Sequence, residues 1–201
     1  MAGLVCVDSM FCIWSIKEEC REGQEHMIER AKQILVNLQR AKKQLMLPAP
    51  VITELLAPVG AERSTEIMQQ LTLIFPRIAV VDTPVAALCG KIWNAEGQSW
   101  KELYEPGTTS LKVAFKYDLL ILGTAIINKA ECLYTGDKRL ANLARKYGNQ
   151  MKVVDLWKDE EFNSTSTVFP QLGIPFTSAR KGISPTPPIG KLITGSPPTQ
   201  I

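Results

Sequence analysis

A single histidine, His26, is all that the 201 residues contain. A histidine-rich zinc site, a histidine pair on one helix face, or a serine or cysteine triad would each have to be built around it. His26 stands in Gln24-Glu25-His26-Met27, at the polar start of a helical pattern, and reads as a solvated helix residue. The five cysteines are odd in number and include no C-x-x-C pair, which excludes a zinc knuckle and a disulfide framework. Cys6 and Cys132 lie inside short apolar runs, where a thiol behaves as a small hydrophobe. Reduced thiols point to a cytoplasmic protein. Neither G-x-G-x-x-G nor G-x-x-x-x-G-K-[ST] occurs, so nucleotide phosphates have no glycine-rich cradle. No basic region precedes the first apolar run, which stops at Asp8, and the longest charge-free apolar stretch, Leu119 to Asn128, is too short for a bilayer. Neither a signal peptide nor a membrane partner is expected.

Excess charge is also missing from most of the chain. Residues 1–162 hold 20 Lys/Arg against 20 Asp/Glu, whereas residues 163–201 hold Arg180, Lys181 and Lys191 and no acid, which accounts for the net +3. A neutral body does not coat nucleic acid by bulk charge, so any contact must come from a local patch. Residues 163–201 also hold seven of the thirteen prolines among Ser, Thr and Gly. Such a segment buries too little apolar surface to offset its ordering entropy. The expected organisation is one domain over 1–162 and a flexible Pro/Ser/Thr-rich tail over 163–201, dispensable for catalysis because it has no carboxylate.

What the sequence does have is alternation. Leu4 to Val7 is an apolar strand feeding a helix from Ser9. Glu25 to Lys43 is amphipathic, with Ile28, Ala31, Ile34, Leu35, Leu38 and Ala41 on one face. Leu45 to Leu47 is a strand, Val51 to Leu56 and Ala61 to Phe75 are helices bounded by prolines, and Ile78 to Val81 is a strand. Asp82-Thr83-Pro84 opens a helix reaching about Glu96, and Leu111 to Ala130 forms a nearly all-apolar one. Cys132 to Thr135, a helix over Asp137 to Lys146, and Val153-Val154 complete the series. Apolar strands alternating with helices mark an α/β, three-layer fold on a mostly parallel, about five-stranded sheet.

In such a sheet, ligands bind outside the carboxyl ends of the strands. Asp8 follows the first strand directly, Asp137 follows the fourth after Thr135-Gly136, and Glu54 lies one helical turn past the second. Asp118 interrupts an apolar helix beside Leu119, Leu120, Ile121 and Leu122, a costly position unless something compensates it. Each also has a local reading: Asp8 and Asp137 as helix caps, Glu54 as a solvated helix residue, Asp118 as an acid near a helix N-terminus. Taken together, four convergent carboxylates without histidine or thiolate form a hard-oxygen site suited to magnesium or manganese, which activates water at a phosphate. Lys112, Lys116, Lys138 and Arg139 flank two of these acids and are candidates for phosphate contacts. Trp14, Trp93, Trp100 and Tyr104 are candidates for base stacking or, more commonly, for the core.

The strand-terminal Val7-Asp8-Ser9, the helical Thr53-Glu54-Leu55, the run Asp118-Leu119-Leu120-Ile121-Leu122-Gly123-Thr124-Ala125 and the turn Thr135-Gly136-Asp137-Lys138-Arg139-Leu140 resemble, in order and spacing, the four acidic motifs of PIN-domain nucleases, and among these the VapC-like ribonucleases of toxin–antitoxin pairs. The resemblance spans about residues 4–155. It implies that Asp8, Glu54, Asp118 and Asp137 ligate Mg2+ or Mn2+, that Ser9 and Thr135 support the site through their hydroxyls, that the substrate is RNA, and that an antitoxin protein is a partner. The residues by themselves leave RNA, DNA and other phosphate esters open. The rival reading is a catalytically silent PIN-like module that binds RNA or protein; the filled acidic positions favour the enzyme. A phosphatase forming an aspartyl-phosphate usually has Asp-x-Asp after its first strand, which Asp8-Ser9-Met10 does not match. A homodimer is expected, because the helices over Glu25–Lys43 and Ala61–Phe75 offer more apolar surface than a small sheet covers.

Overall fold

The computed structural model describes residues 3–97 and 109–158. Their strands are β1 (Leu4–Val7), β2 (Gln44–Pro48), β3 (Arg77–Ala79), β4 (Cys132–Thr135) and β5 (Lys152–Asp155). The helices are α1 (Ser9–Cys12), which runs on into a π-helical turn at Ile13–Lys17, α2 (Glu25–Arg40), α3 (Ala49–Leu56), α4 (Ala61–Ile74), α5 (Thr83–Gly97), α6 (Thr109–Ile127) and α7 (Lys138–Tyr147). The five strands pair in parallel in the order β3-β2-β1-β4-β5. β1 is central and buried along its whole length. A strand buried on both faces has no room for polar alternation, which is why Leu4-Val5-Cys6-Val7 is apolar throughout. The chain leaves β1 toward β2 and β3 and later returns to its other side at β4. β1 and β4 therefore flank the topological switch point, where the open ends of a parallel sheet leave a crevice.

Expected and observed elements differ mainly at their ends. The pattern read as a helix to Lys43 stops at Arg40, where Lys42 takes a left-handed conformation (φ 52°). Lys42 and Lys43 donate their backbone N–H groups to Gln39 and Leu38, closing the helix in a Schellman arrangement. α6 ends likewise, with Lys129 at φ 57° and the N–H groups of Lys129 and Ala130 on Ile126 and Ala125. Lysine at these left-handed positions gives no glycine signal, so the periodicity overran both helices. α3 starts at Ala49 rather than Val51, because Pro50 in a first turn lacks only an N–H that would have no partner there. β3 is shorter and earlier than expected, leaving Val80 and Val81 exposed beyond it.

The core gathers Cys6, Val7, Phe11, Trp14, Met46, Leu47, Leu55, Leu122 and Leu133 around the sheet. α2 turns Met27, Ala31, Ile34, Leu35 and Leu38 inward. These apolar residues are therefore covered within the chain. α5 and α6 approach closely at Gly123, where an added Cβ would lie 2.6 Å from Cys89 Sγ. The expected boundary at residue 162, the tail over 163–201, Trp100 and Tyr104 lie outside the described residues.

Candidate active site

Asp8 directly follows β1 and is 1% exposed. Its Oδ1 accepts from Phe11 N–H at 2.8 Å and so caps α1. Its Oδ2 accepts from Gly136 N–H at 3.0 Å and from the Thr135 hydroxyl, both at the end of β4. Asp8 thus serves as a cap and as a clamp between the two strands at the switch point. Gly136 is required there, since a Cβ on it would stand 2.5 Å from Cη2 of the buried Trp14. Its carbonyl accepts from Trp157 Nε1 at 2.7 Å.

One residue later, Asp137 caps α7, its Oδ1 accepting from Arg139 N–H at 2.6 Å and Leu140 N–H at 3.1 Å. Its Oδ2 remains on the open side, 4.0 Å from Arg139 Nη2. Glu54 reaches the same region from α3, close enough to Ser9 for that side chain to oppose the rise of its pKa. Its Oε2 is buried and has no hydrogen-bond partner. Asp118 enters from the middle of α6, 7% exposed, and accepts from Arg139 Nε. α6 begins at Thr109, so the helix-terminus explanation of Asp118 does not apply.

Burial pushes the Asp8 carboxyl up to about 6, against the lowering effect of its three donors. Burial likewise raises Asp118 to about 7, opposed by the Arg139 guanidinium and reinforced by Asp137 and Glu54. Glu54 is raised by burial first, with Asp137 adding to it and Ser9 and Arg139 opposing. Asp137 thus acts electrostatically on each of the other three acids. Such desolvated, mutually repelling carboxylates gain from a concentrated positive charge. Even so, among the described residues no group of three His, Cys, Asp or Glu side chains is arranged as a ready-made metal site. The physical reason lies in the other bonds: both Asp8 oxygens and one Asp137 oxygen serve N–H and O–H donors, and Arg139 occupies Asp118.

The candidate phosphate-binding cations are not alike. Lys138 and Lys116 are exposed, Lys116 with its Nζ 5.8 Å from the Trp93 ring centre, and Lys112 is half-buried on α6. Arg139 is bound to the acids themselves. Trp14 is a core residue, stacked edge-on against Trp157, and Trp93 tilts against Phe115. His26 is exposed, its ring 6.4 Å from that of Trp157.

Sequence reasoning missed Glu96. It is 6% exposed and accepts from Lys146 Nζ and the Tyr147 hydroxyl, each at 2.5 Å. With Arg139, Asn142, Leu143 and Lys146 it lines a cavity of about 300 Å³. Its place at the end of a helical run, after Asn94-Ala95, carries no spacing signal, so only the packing of α5 against α7 reveals it.

No family model and no curated protein matches the sequence. Solved structures do match in shape. The structure of VapBC2 from Rickettsia felis, bound to a DNA fragment from their promoter, has a chain matching with a TM-score of 0.50 over 76% of this chain and 98% of that one, at 14% identity. This chain shares the fold of that chain. A VapBC-1 structure from nontypeable Haemophilus influenzae is similar to it at a TM-score of 0.48, 15% identity, covering 77% of this chain and 99% of that one. The four acids stand just after β1, on α3, on α6 and in the β4–α7 turn.

Proposed function

We propose that the protein is a divalent-metal-dependent endoribonuclease, the nuclease partner of a toxin–antitoxin pair. The observation that carries this reading is the convergence of Asp8, Glu54, Asp118 and Asp137 beside the β1–β4 switch point, with the buried Glu54 Oε2 lacking any partner. A buried carboxylate oxygen without a donor is costly, and an all-oxygen set of this kind suits Mg2+ or Mn2+. Glu54, Asp118, Asp137 and Asp8 would hold the ion. When bound, it would supply charge neutralisation at a phosphate and a more acidic water.

The chain's own residues account for orientation. The Thr135 hydroxyl and Gly136 N–H fix Asp8, and Ser9 stands beside Glu54. The cap on α7 holds Asp137 through Oδ1 and leaves Oδ2 outside the cap. Lys112, Lys116 and Lys138 sit on the two helices that carry Asp118 and follow Asp137, where they would meet phosphates of a single strand. The likeness to VapBC structures supports an antitoxin protein as partner. No described helix is long and apolar enough to cross a membrane, and the reduced cysteines favour a cytoplasmic location.

The test is incubation of purified protein with labelled single-stranded RNA, single-stranded DNA and a small phosphate ester, with Mn2+ or with chelator. Endonucleolytic cleavage of RNA only in the presence of Mn2+ is expected. RNA left intact, with the protein still binding it, would favour the silent module instead.

A further inference from the structure

We propose that Arg139 is the resident counter-cation of the acidic cleft, and that a divalent ion enters by displacing its guanidinium from Asp118 toward the adjoining cavity. The inference rests on the metal-site reading above and concerns what that site must do before it can bind. Arg139 Nε is bonded to Asp118 Oδ2, and its Nη2 lies 4.0 Å from Asp137 Oδ2. Its charge also acts on Glu54. The guanidinium therefore spans the space between acids delivered by α6 and by the β4–α7 turn, where a ligating ion would have to sit. Both cannot stay, because a divalent ion and a guanidinium within a few ångströms repel strongly in a half-buried site. Lysine could yield by losing its proton; arginine effectively cannot, so it must move.

The structure provides the place. Arg139 already lines the cavity of about 300 Å³ that it shares with Glu96, Asn142, Leu143 and Lys146. Asn142 is one turn further along α7 and presents an amide, and Glu96 is a buried carboxylate that already gathers the Lys146 ammonium and the Tyr147 hydroxyl. A guanidinium that leaves Asp118 thus exchanges one carboxylate neighbour for another without leaving the protein. Arg139 is then a positioning residue: it keeps the metal-free acids together and sets the threshold for ion binding.

Isothermal titration of the full chain with Mn2+ tests this, comparing wild type with Arg139→Ala and Arg139→Gln. Removing the competing charge should tighten Mn2+ binding by about tenfold, the scale on which residues around a metal site change affinity. The metal-free variants should also melt at lower temperature than metal-free wild type, and Mn2+ should raise their melting temperature by more. In wild type, one arginine Nε–H resonance, assigned as Arg139 by its loss in the variants, should shift on adding Mg2+. Should Arg139→Ala fail to fold, Arg139→Gln carries the comparison, since it keeps a donor for Asp118 without the charge. Mn2+ affinity equal to or weaker than wild type in the folded variant overturns the displacement. Absence of Mn2+ binding in wild type and variants alike overturns the metal site itself, and this inference with it.

Discussion

Asp8 and Asp137 are two acids with different dependencies, and the same substitution should separate them. Both oxygens of Asp8 accept hydrogen bonds, from Phe11 N–H on one side and from Gly136 N–H and Thr135 on the other. An asparagine there keeps one acceptor and points an amide N–H at a donor. Asp8→Asn should therefore cost about 1–3 kcal/mol for the unsatisfied donor, opposed above pH 6 by removal of the buried charge, so that its net destabilisation is smaller at pH 8 than at pH 5. Asp137 uses only Oδ1 for its cap, and asparagine is as good an N-cap as aspartate. Asp137→Asn should unfold at nearly the wild-type denaturant midpoint. Both variants should lose Mn2+-dependent RNA cleavage, so Asp137→Asn is the cleaner test. Retained cleavage in a well-folded Asp137→Asn protein would refute its role as a ligand.

The turn between β4 and α7 is the element that builds the cleft, since Thr135, Gly136, Asp137 and Arg139 all belong to it or its first turn. Its path is set by contact with the π-helical turn, whose Trp14 leaves no space for a Cβ on Gly136. Gly136→Ala should lower stability by about 1–3 kcal/mol, typical of an overpacked site. It should also weaken Mn2+ binding, because shifting the turn moves Asp137 relative to Asp8. Urea denaturation and Mn2+ titration of the same variant check the two effects together. A variant as stable as wild type would mean that Trp14 yields more easily than its full burial suggests.

For the molecule as a whole, the acidic cleft makes stability depend on pH in a defined direction. Asp8 lies at about 6 and Asp118 at about 7 in the folded protein, each above its ordinary value of 3.8. The folded state therefore binds more protons than the unfolded state in this range, and stability falls as pH rises from about 4 to 7. The metal-free protein should be less stable at pH 8 than at pH 5, with Asp8 contributing about 1.4 kcal/mol of that difference. Excess Mn2+ should offset this loss at high pH, where the ligands are ionised. Melting temperatures across pH, with chelator and with Mn2+, read both trends.

Assembly is the other whole-molecule question. We propose that the expected homodimer forms through the end of α4 and the residues after β3 rather than through α2. Met27, Ala31, Ile34, Leu35 and Leu38 of α2 are buried within the chain, Ile28 is half-buried, and Met68 of α4 packs partly against the core. Leu73 (78% exposed) and Val80 (66%) remain outside, near the β3 edge. Light scattering should give a mass near twice 22.3 kDa. Leu73→Glu should give a folded monomer; a wild type that stays monomeric at high concentration rules the pairing out.

The order of strands and helices was readable in the sequence, because buried parallel strands must be apolar throughout and covering helices must show a stripe. Asp8, Glu54, Asp118 and Asp137 were readable as candidates for the same reason: each is a charge beside an apolar run or at the end of one. Helix ends at Lys42 and Lys129 were not, since a left-handed lysine looks like any other surface lysine. Nor was the partnership of Asp118 with Arg139, nor Glu96 beside it. Those depend on which helices pack side by side, and side-chain pairs 21 or more residues apart leave no periodic trace. The sequence alone determined which residues carry charge into the core; the tertiary structure decided which of them share a cleft and which cation now sits among them, because electrostatic coupling follows distance in space and not along the chain.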